Sequence, residues 1–186
     1  MTLGDIKKKT LSLIEEIDDT EQSLTKDPDI AAKLNYVINQ IQNELARVKK
    51  IPDYVELEVN EGDLIRFEDI TTDYQIYQLD IARGINYEFK AQGTIIKCLE
   101  EGTLEVEYFR YPEEINSLTK DNFELELSND VLEIMPYGVA GDLLKSDISA
   151  SYGQVYSNRY EQLKQQLDPR YHTGSIYIED DGYEFL

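Results

Sequence analysis

The apolar residues of this chain change their spacing twice, and that change constrains the fold more than any other feature. Up to Lys50 they recur at intervals of three and four, from Pro52 they alternate singly with polar residues, and after Asp130 the wider spacing returns. Intervals of three and four place side chains on one face of a helix, whereas alternation places them on one face of a strand. The order is therefore helices, a β-rich segment, then helices. The expected class is α+β: a helical bundle of two N-terminal helices plus long C-terminal helices, with an inserted small antiparallel β domain and an extended C-terminal arm. Its expected parts are a helix pair at 1–50, an acidic β-rich insert at 51–127, C-terminal helices at 128–167 packing on 1–50, and the arm at 168–186.

Thr2 is placed to cap a first helix running to about Ile17, with Leu3, Ile6, Leu13, Ile14 and Ile17 on one face. Asp27-Pro28-Asp29 supplies a cap, a proline in the first turn and an acid suited to the helix dipole. A second helix follows, with Ile30, Leu34, Val37, Ile38, Ile41, Leu45 and Val48 as its apolar stripe. The third helical region, 129–167, opens at Asp130 with Glu133 three residues on. Its stripe is Leu132, Met135, Val139, Leu143 and Leu144, continued by Tyr152, Tyr156, Tyr160, Leu163 and Leu167. Pro136, Gly138, Gly141 and the 146–151 segment divide it into two helices or kink one, and Asp168-Pro169 ends it.

In the middle, Val55, Leu57 and Val59 alternate with glutamates before Asn60-Glu61-Gly62-Asp63 and a second run, Leu64 to Phe67. This predicts a β-hairpin, and 94–99 with 104–111 around Glu101-Gly102 predicts another. Strands are also expected at 74–79, 85–90 and 123–127. The tail differs again: Ile176-Tyr177-Ile178 is β-prone, and Tyr183-Glu184-Phe185-Leu186 closes an acidic turn. It is too aromatic for an ordinary disordered end. It either folds back on its own domain or acts as an arm toward another subunit, with Arg170, Tyr171, Ile176, Tyr177, Ile178, Tyr183 and Phe185 as contact residues.

Charge narrows the partners. The formal net charge is −20, and the excess is concentrated at 51–127, with about 19 acidic against 6 basic residues. Duplex DNA is bound by clustered lysine and arginine that displace counterions, so direct DNA recognition is excluded as a main function. The acidic face reads either as a solvated surface or as one that repels DNA or steers a basic partner. No apolar run approaches the roughly 18 to 20 residues that span a bilayer, so no membrane partner is expected. Met1 to Asp5 leads into a charged amphipathic segment and not a signal peptide.

Chemistry is sparsely signalled. Cys98 is the only cysteine and His172 the only histidine, so a disulfide within the chain and a zinc site of ordinary His/Cys ligation are both excluded. The sequence has no GxxxxGK[ST], GxGxxG, HExxH or GxSxG motif. With 38 acidic residues, carboxylate pairs are unavoidable and carry no catalytic signal. Cys98 reads as a small buried group on a strand, and His172 as a contact residue. Neither a catalytic residue nor a metal or cofactor is assigned. Fourteen tyrosines without a tryptophan suit amphipathic contacts between subunits as well as core packing.

Three stretches carry a likeness: Asp27-Pro-Asp-Ile-Ala-Ala-Lys-Leu-Asn-Tyr-Val-Ile-Asn-Gln-Ile-Gln-Asn-Glu-Leu-Ala-Arg, Leu104-Glu-Val-Glu-Tyr-Phe-Arg-Tyr-Pro, and Leu132-Glu-Ile-Met-Pro-Tyr-Gly-Val-Ala-Gly-Asp-Leu-Leu-Lys-Ser-Asp. Together they resemble the head–tail connector, or adaptor, proteins of tailed bacteriophages and related prophage particles. The resemblance implies a non-enzymatic virion protein, assembled in the host cytoplasm into a dodecameric ring. It further implies docking beneath the portal protein by C-terminal arms, contact with a downstream tail or neck protein, and a channel through which DNA passes only as cargo. Two function classes stay open: this structural adaptor, or a neck and tail-completion protein one layer lower, and an acidic soluble interaction or inhibitor module that mimics a polyanion.

Overall fold

The computed structural model of the protein describes residues 1–16, 25, 27–70, 72–90, 95–146 and 150–167. Helix α1 (Leu3–Leu13) opens on a reciprocal cap, in which the Asp5 amide donates to Thr2 Oγ1 (3.2 Å) and the Thr2 amide to Asp5 Oδ2 (3.0 Å). It ends earlier than its apolar spacing predicts, because Glu15 takes a left-handed φ of 60°. Leu3, Ile6, Thr10 and Leu11 form its buried face, while Leu13 and Ile14 are half-buried and Ile17 lies outside the described residues. Helix α2 (Pro28–Val48) starts where expected: Asp27 Oδ1 accepts from the amides of Asp29 (2.8 Å) and Ile30 (3.3 Å), and Pro28 has no amide to satisfy. It buries Leu34, Val37, Ile38, Ile41 and Leu45.

A helical bundle with long C-terminal helices is not what forms. The stretch after Leu127 is cut into a single turn α3 (Asn129–Leu132), a short α4 (Met135–Leu143) and α5 (Ala150–Leu167). Pro136 in the first turn of α4 cannot donate to a preceding carbonyl, so the chain restarts there after a turn at Glu133 and Ile134. Short α4 then becomes the hub, against which α1, α2 and α5 all pack. Its approach to α5 is close: a Cβ at Gly138 would lie 3.0 Å from ring carbons of Tyr160, and one at Gly141 2.5 Å from Ser157 Oγ. The remaining architecture is mixed, with two small antiparallel sheets between the helices.

Those sheets correct both predicted hairpins. The strands are β1 (Ile51–Val59), β2 (Leu64–Arg66), β3 (Ile76–Arg83), β4 (Tyr87–Lys90), β5 (Ile95–Cys98) and β6 (Gly102–Arg110). Neither β1 and β2 nor β5 and β6 pair with each other; the orders are β1-β6-β3 and β2-β5-β4. Val55 faces Val106 and Ile65 faces Ile96, which is one register carried across both turns. Segments 51–66 and 95–110 therefore form a single long antiparallel ribbon, bent where the turns were expected, and 76–90 lines its other side. The sequence pattern of a tight hairpin and of a bend between two sheets is the same, since both need turn residues between alternating runs. At the bend Gly84 has φ 100°, and a Cβ there would sit 2.4 Å from the carbonyl oxygen of Thr103.

The inner faces of both halves close on one core of Val59, Ile70, Ile76, Leu79, Ala82, Ile96, Cys98, Leu104, Val106 and Tyr108. Along β3 the buried residues fall at 76, 79 and 82, because two register shifts against β6 break the alternation. The predicted strand at 123–127 reduces to one bridge between Thr2 and Glu124. This segment instead caps α1, with Leu3 N donating to Phe123 O and Gly4 N to Asp121 O, both 2.8 Å. Tyr111, Ile115, Leu125 and Leu127 belong to the helical core.

Candidate functional site

Arg110 ties the end of β6 to β1 and to the segment that precedes α3. Its parity on β6 points it inward, but at the strand's end there is no apolar core to meet, and carboxylates surround it instead. Arg110 Nη1 and Nη2 donate to Glu126 at 3.0 and 2.9 Å, Nε donates to Asp53 Oδ2 at 3.0 Å, and the guanidinium lies 3.6 Å from the Tyr74 ring centroid. Burial opposes ionisation of Glu126, but Arg110 and the Glu113 amide outweigh it and hold the carboxyl below its usual range. Beside it, Tyr77 donates its hydroxyl to Ala46 O at 2.8 Å, Arg47 Nε donates to Tyr111 Oη at 2.8 Å, and the Tyr77 and Tyr111 rings lie 4.8 Å apart. These groups are consumed in mutual contacts that fix how the sheets stand on the helices, so their role is structural.

The outer face of the β1-β6-β3 sheet is different. Even-numbered side chains of β1 and odd-numbered ones of β6 point away from the core, and among the described residues no helix packs extensively against them. The Tyr111 amide donates to Gln75 O, so alternation along β6 turns the amides at 110, 108 and 106 toward β1. Glu56 and Glu105 are then a directly opposed, non-hydrogen-bonded pair, the kind in which side chains come closest. Glu58 and Glu107 flank them, with Tyr54 61% exposed and Phe109 at the far end. Arg83 bonds Glu107 at 3.0 Å, Lys50 lies 4.1 Å from the Phe109 ring centroid, and Thr103 donates to Glu58 at 2.8 Å. Among the described residues Glu56 and Glu105 form no ion pair, although Arg83 stands opposite Glu105 on β3. Like charges directly opposed on a sheet cost about 0.2–1 kcal/mol.

The edge of β1 is closed to strand addition even though its face is open. Its outward amides belong to Tyr54, Glu56 and Glu58; Pro52 has none, and the Tyr54 amide donates to Asp53 Oδ1 at 2.9 Å. A proline, a self-capped amide and two glutamates are the usual means by which an edge avoids pairing. The bulges in β3 serve the same end on the opposite side.

Across the molecule, a groove between α1 and α4 has an apolar floor of Leu13, Pro136 and Tyr137 and carries Lys8 and Lys9 on its rim, with Glu133 and Ser12 completing it. Lys7 is already paired with Asp121 at 2.8 Å. A second groove, between the end of α1 and the start of α5, is lined by Leu13, Ile14, Leu144, Tyr152 and Tyr156. There Tyr152, expected on the buried stripe, is 68% exposed.

The contact residues expected in the arm, Arg170, Tyr171, Ile176, Tyr177, Ile178, Tyr183 and Phe185, lie outside the described residues, as does His172. Cys98 is fully buried, and burial followed by the charge of Asp63 raises its thiol pKa, which keeps it a poor nucleophile. Among the described residues, no three His, Cys, Asp or Glu side chains are grouped to hold a metal ion, and no helix is long and apolar enough to cross a membrane. The sequence shows Glu56 and Glu58 as alternation and Glu105 and Glu107 only as part of a strand at 104–111; that the four share a face required the register. Nothing in the sequence marked Arg110 as an ion-pair centre, because its partners are 16 and 57 residues away. No protein-family model and no curated protein matches the chain.

Proposed function

We propose that this protein is a structural head–tail adaptor of a tailed phage particle, a ring subunit beneath the portal that prolongs the DNA channel and joins capsid to tail. It carries out no chemistry in this role; its working parts are surfaces. The observation that carries the reading is the outer sheet face left open by the described residues, where Glu56 opposes Glu105, on a module tied through Tyr77 and Arg47 to α2, with lysines presented on α1. A face that costs stability and covers no core serves contact or repulsion, and both are needed where subunits meet around DNA that must slide freely. The likeness of the three sequence stretches to adaptor proteins supports the same reading.

The test is co-sedimentation of the full chain and of a chain ending at Leu167 with portal rings of the same particle. The full chain is expected to dock, and the truncated chain to keep its melting temperature while losing docking. Failure of the full chain to dock rejects the adaptor. The acidic face equally suits a soluble module that binds a basic protein; that alternative predicts a monomer that captures its partner one to one and ignores portal rings. A neck protein one layer lower would dock on an assembled adaptor ring and not on the portal.

A further inference from the structure

The two unlike surfaces described above fit each other. The first is the outer sheet face, with exposed Tyr54 followed one pleat later by Glu56 and then Glu58. The second is the α1/α4 groove, with Lys8 and Lys9 on the rim and Leu13, Pro136 and Tyr137 as the floor. We infer that this chain associates with a second copy of itself head to tail, the groove of one subunit receiving the β1 face of the next. This deepens the ring reading and rests on it for its setting.

Three observations point to a copy of this chain as the occupant. The charges are complementary: among the described residues neither Glu56 nor Lys8 forms an ion pair, and Arg83, which stands opposite Glu105, is engaged by Glu107 at 3.0 Å. The spacings agree as well. A step of two residues along a strand is about 7 Å, and four residues along a helix rise about 6 Å. Tyr54 can therefore enter the floor near Leu13 while Glu56 reaches Lys9. Among the described residues Glu133 is the one acid that lines the groove with Lys8 and Lys9. Finally, Pro52, the self-capped Tyr54 amide and the charges of Glu56 and Glu58 disfavour backbone pairing along β1 and favour side-chain docking of its face.

Because the contact joins two different patches, it does not end at a dimer. It propagates, closing into a ring when the rotation between subunits permits. The opposed glutamates then acquire a purpose: repulsion between Glu56 and Glu105 weakens the isolated subunit, and the neighbour's lysines relieve it on assembly.

Sedimentation velocity on the full chain tests this, at low ionic strength and again near 0.5 M salt, where the Debye length is roughly 4 Å. The wild type is expected to form species larger than a dimer at low salt and to dissociate at high salt. E56K/E58K and K8E/K9E are each expected to lose self-association by at least tenfold in concentration, and their equimolar mixture to regain it, since each supplies the charge that the other needs. E56K alone is expected to melt no lower than the wild type, because the like-charged pair is gone; a merely structural glutamate would give the opposite. A wild type that stays monomeric at low salt, double variants that assemble unchanged, or a mixture that fails to recover overturns the inference. Portal co-sedimentation on the same samples separates the two claims. Docking with an unchanged variant assembly sinks only this contact, and normal assembly without docking sinks only the adaptor.

Discussion

Replacing Arg110 by methionine keeps the alkyl stem and removes the fork that joins β6 to β1 and to the segment before α3. The lost contacts are two hydrogen bonds to Glu126, one to Asp53, one from Nη1 to the carbonyl of Tyr111 at 3.2 Å, and the stack on Tyr74. Only 11% of the arginine side chain is exposed, so water replaces little of this, and Glu126 is left half-buried with the Glu113 amide as its remaining donor. Removing one partner of such a pair costs about 3 kcal/mol, a fall in Tm of roughly 6–12 °C for a chain of this size. The pH dependence identifies the cause. Glu126 has a lowered pKa in the folded protein, so its contribution is present above the unfolded-state value of about 4.3 and is lost as pH falls through the folded one. Without Arg110, burial and the charge of Asp53 are opposed by the Glu113 amide alone, so the contribution that acidification removes from the wild type is already missing from the variant. Urea melts of wild type and R110M between pH 7 and 3 should therefore converge as pH falls, and a double-mutant cycle with E126Q should give a coupling of about 2 kcal/mol. A gap below about 0.5 kcal/mol at pH 7, or one independent of pH, would refute the account.

Three further outcomes are expected. G84A should cost more than G62A: both glycines have positive φ, but a Cβ at 84 meets the Thr103 carbonyl at 2.4 Å and one at 62 meets nothing within 4 Å, so thermal melts should show about 1 kcal/mol lost at 62 and clearly more at 84. G138A should lower stability by about 1–3 kcal/mol by pressing on Tyr160 and Ile41, and G138A paired with Y160L should recover part of it in urea titrations. Cys98 should resist a thiol reagent in native buffer at pH 8 and react rapidly in urea; fast native labelling would mean that the bend between the sheets opens readily.

Local chemistry made much of the secondary structure legible. The start of α2 follows from Asp27, Pro28 and Asp29 alone, because capping groups act within three residues, and its buried stripe follows from spacing. The change of period at Pro52 marks the β segment for the same reason. Where strands pair is another matter. Asn60 to Asp63 and Glu101-Gly102 carry hairpin chemistry, yet the chain uses them to bend one ribbon across two sheets, a choice made by how Ile96, Cys98, Leu104 and Val106 share a core. Pro136 announced a break but not that short α4 would be the helical hub, which depends on Gly138 and Gly141 admitting Tyr160 and Ser157.

The candidate surfaces divide along the same line. The acidic excess of 51–127 is a property of composition and is legible directly. That Glu56 opposes Glu105, that Arg110 is enclosed by Glu126, Asp53 and Tyr74, and that Lys8 and Lys9 overhang an apolar floor are relations between residues distant in sequence. Capping, periodicity and net charge act over a few residues or over the whole chain, so the sequence by itself determines them. Register, helix packing and the facing of charges depend on which apolar surfaces close together, and only the tertiary structure decides that.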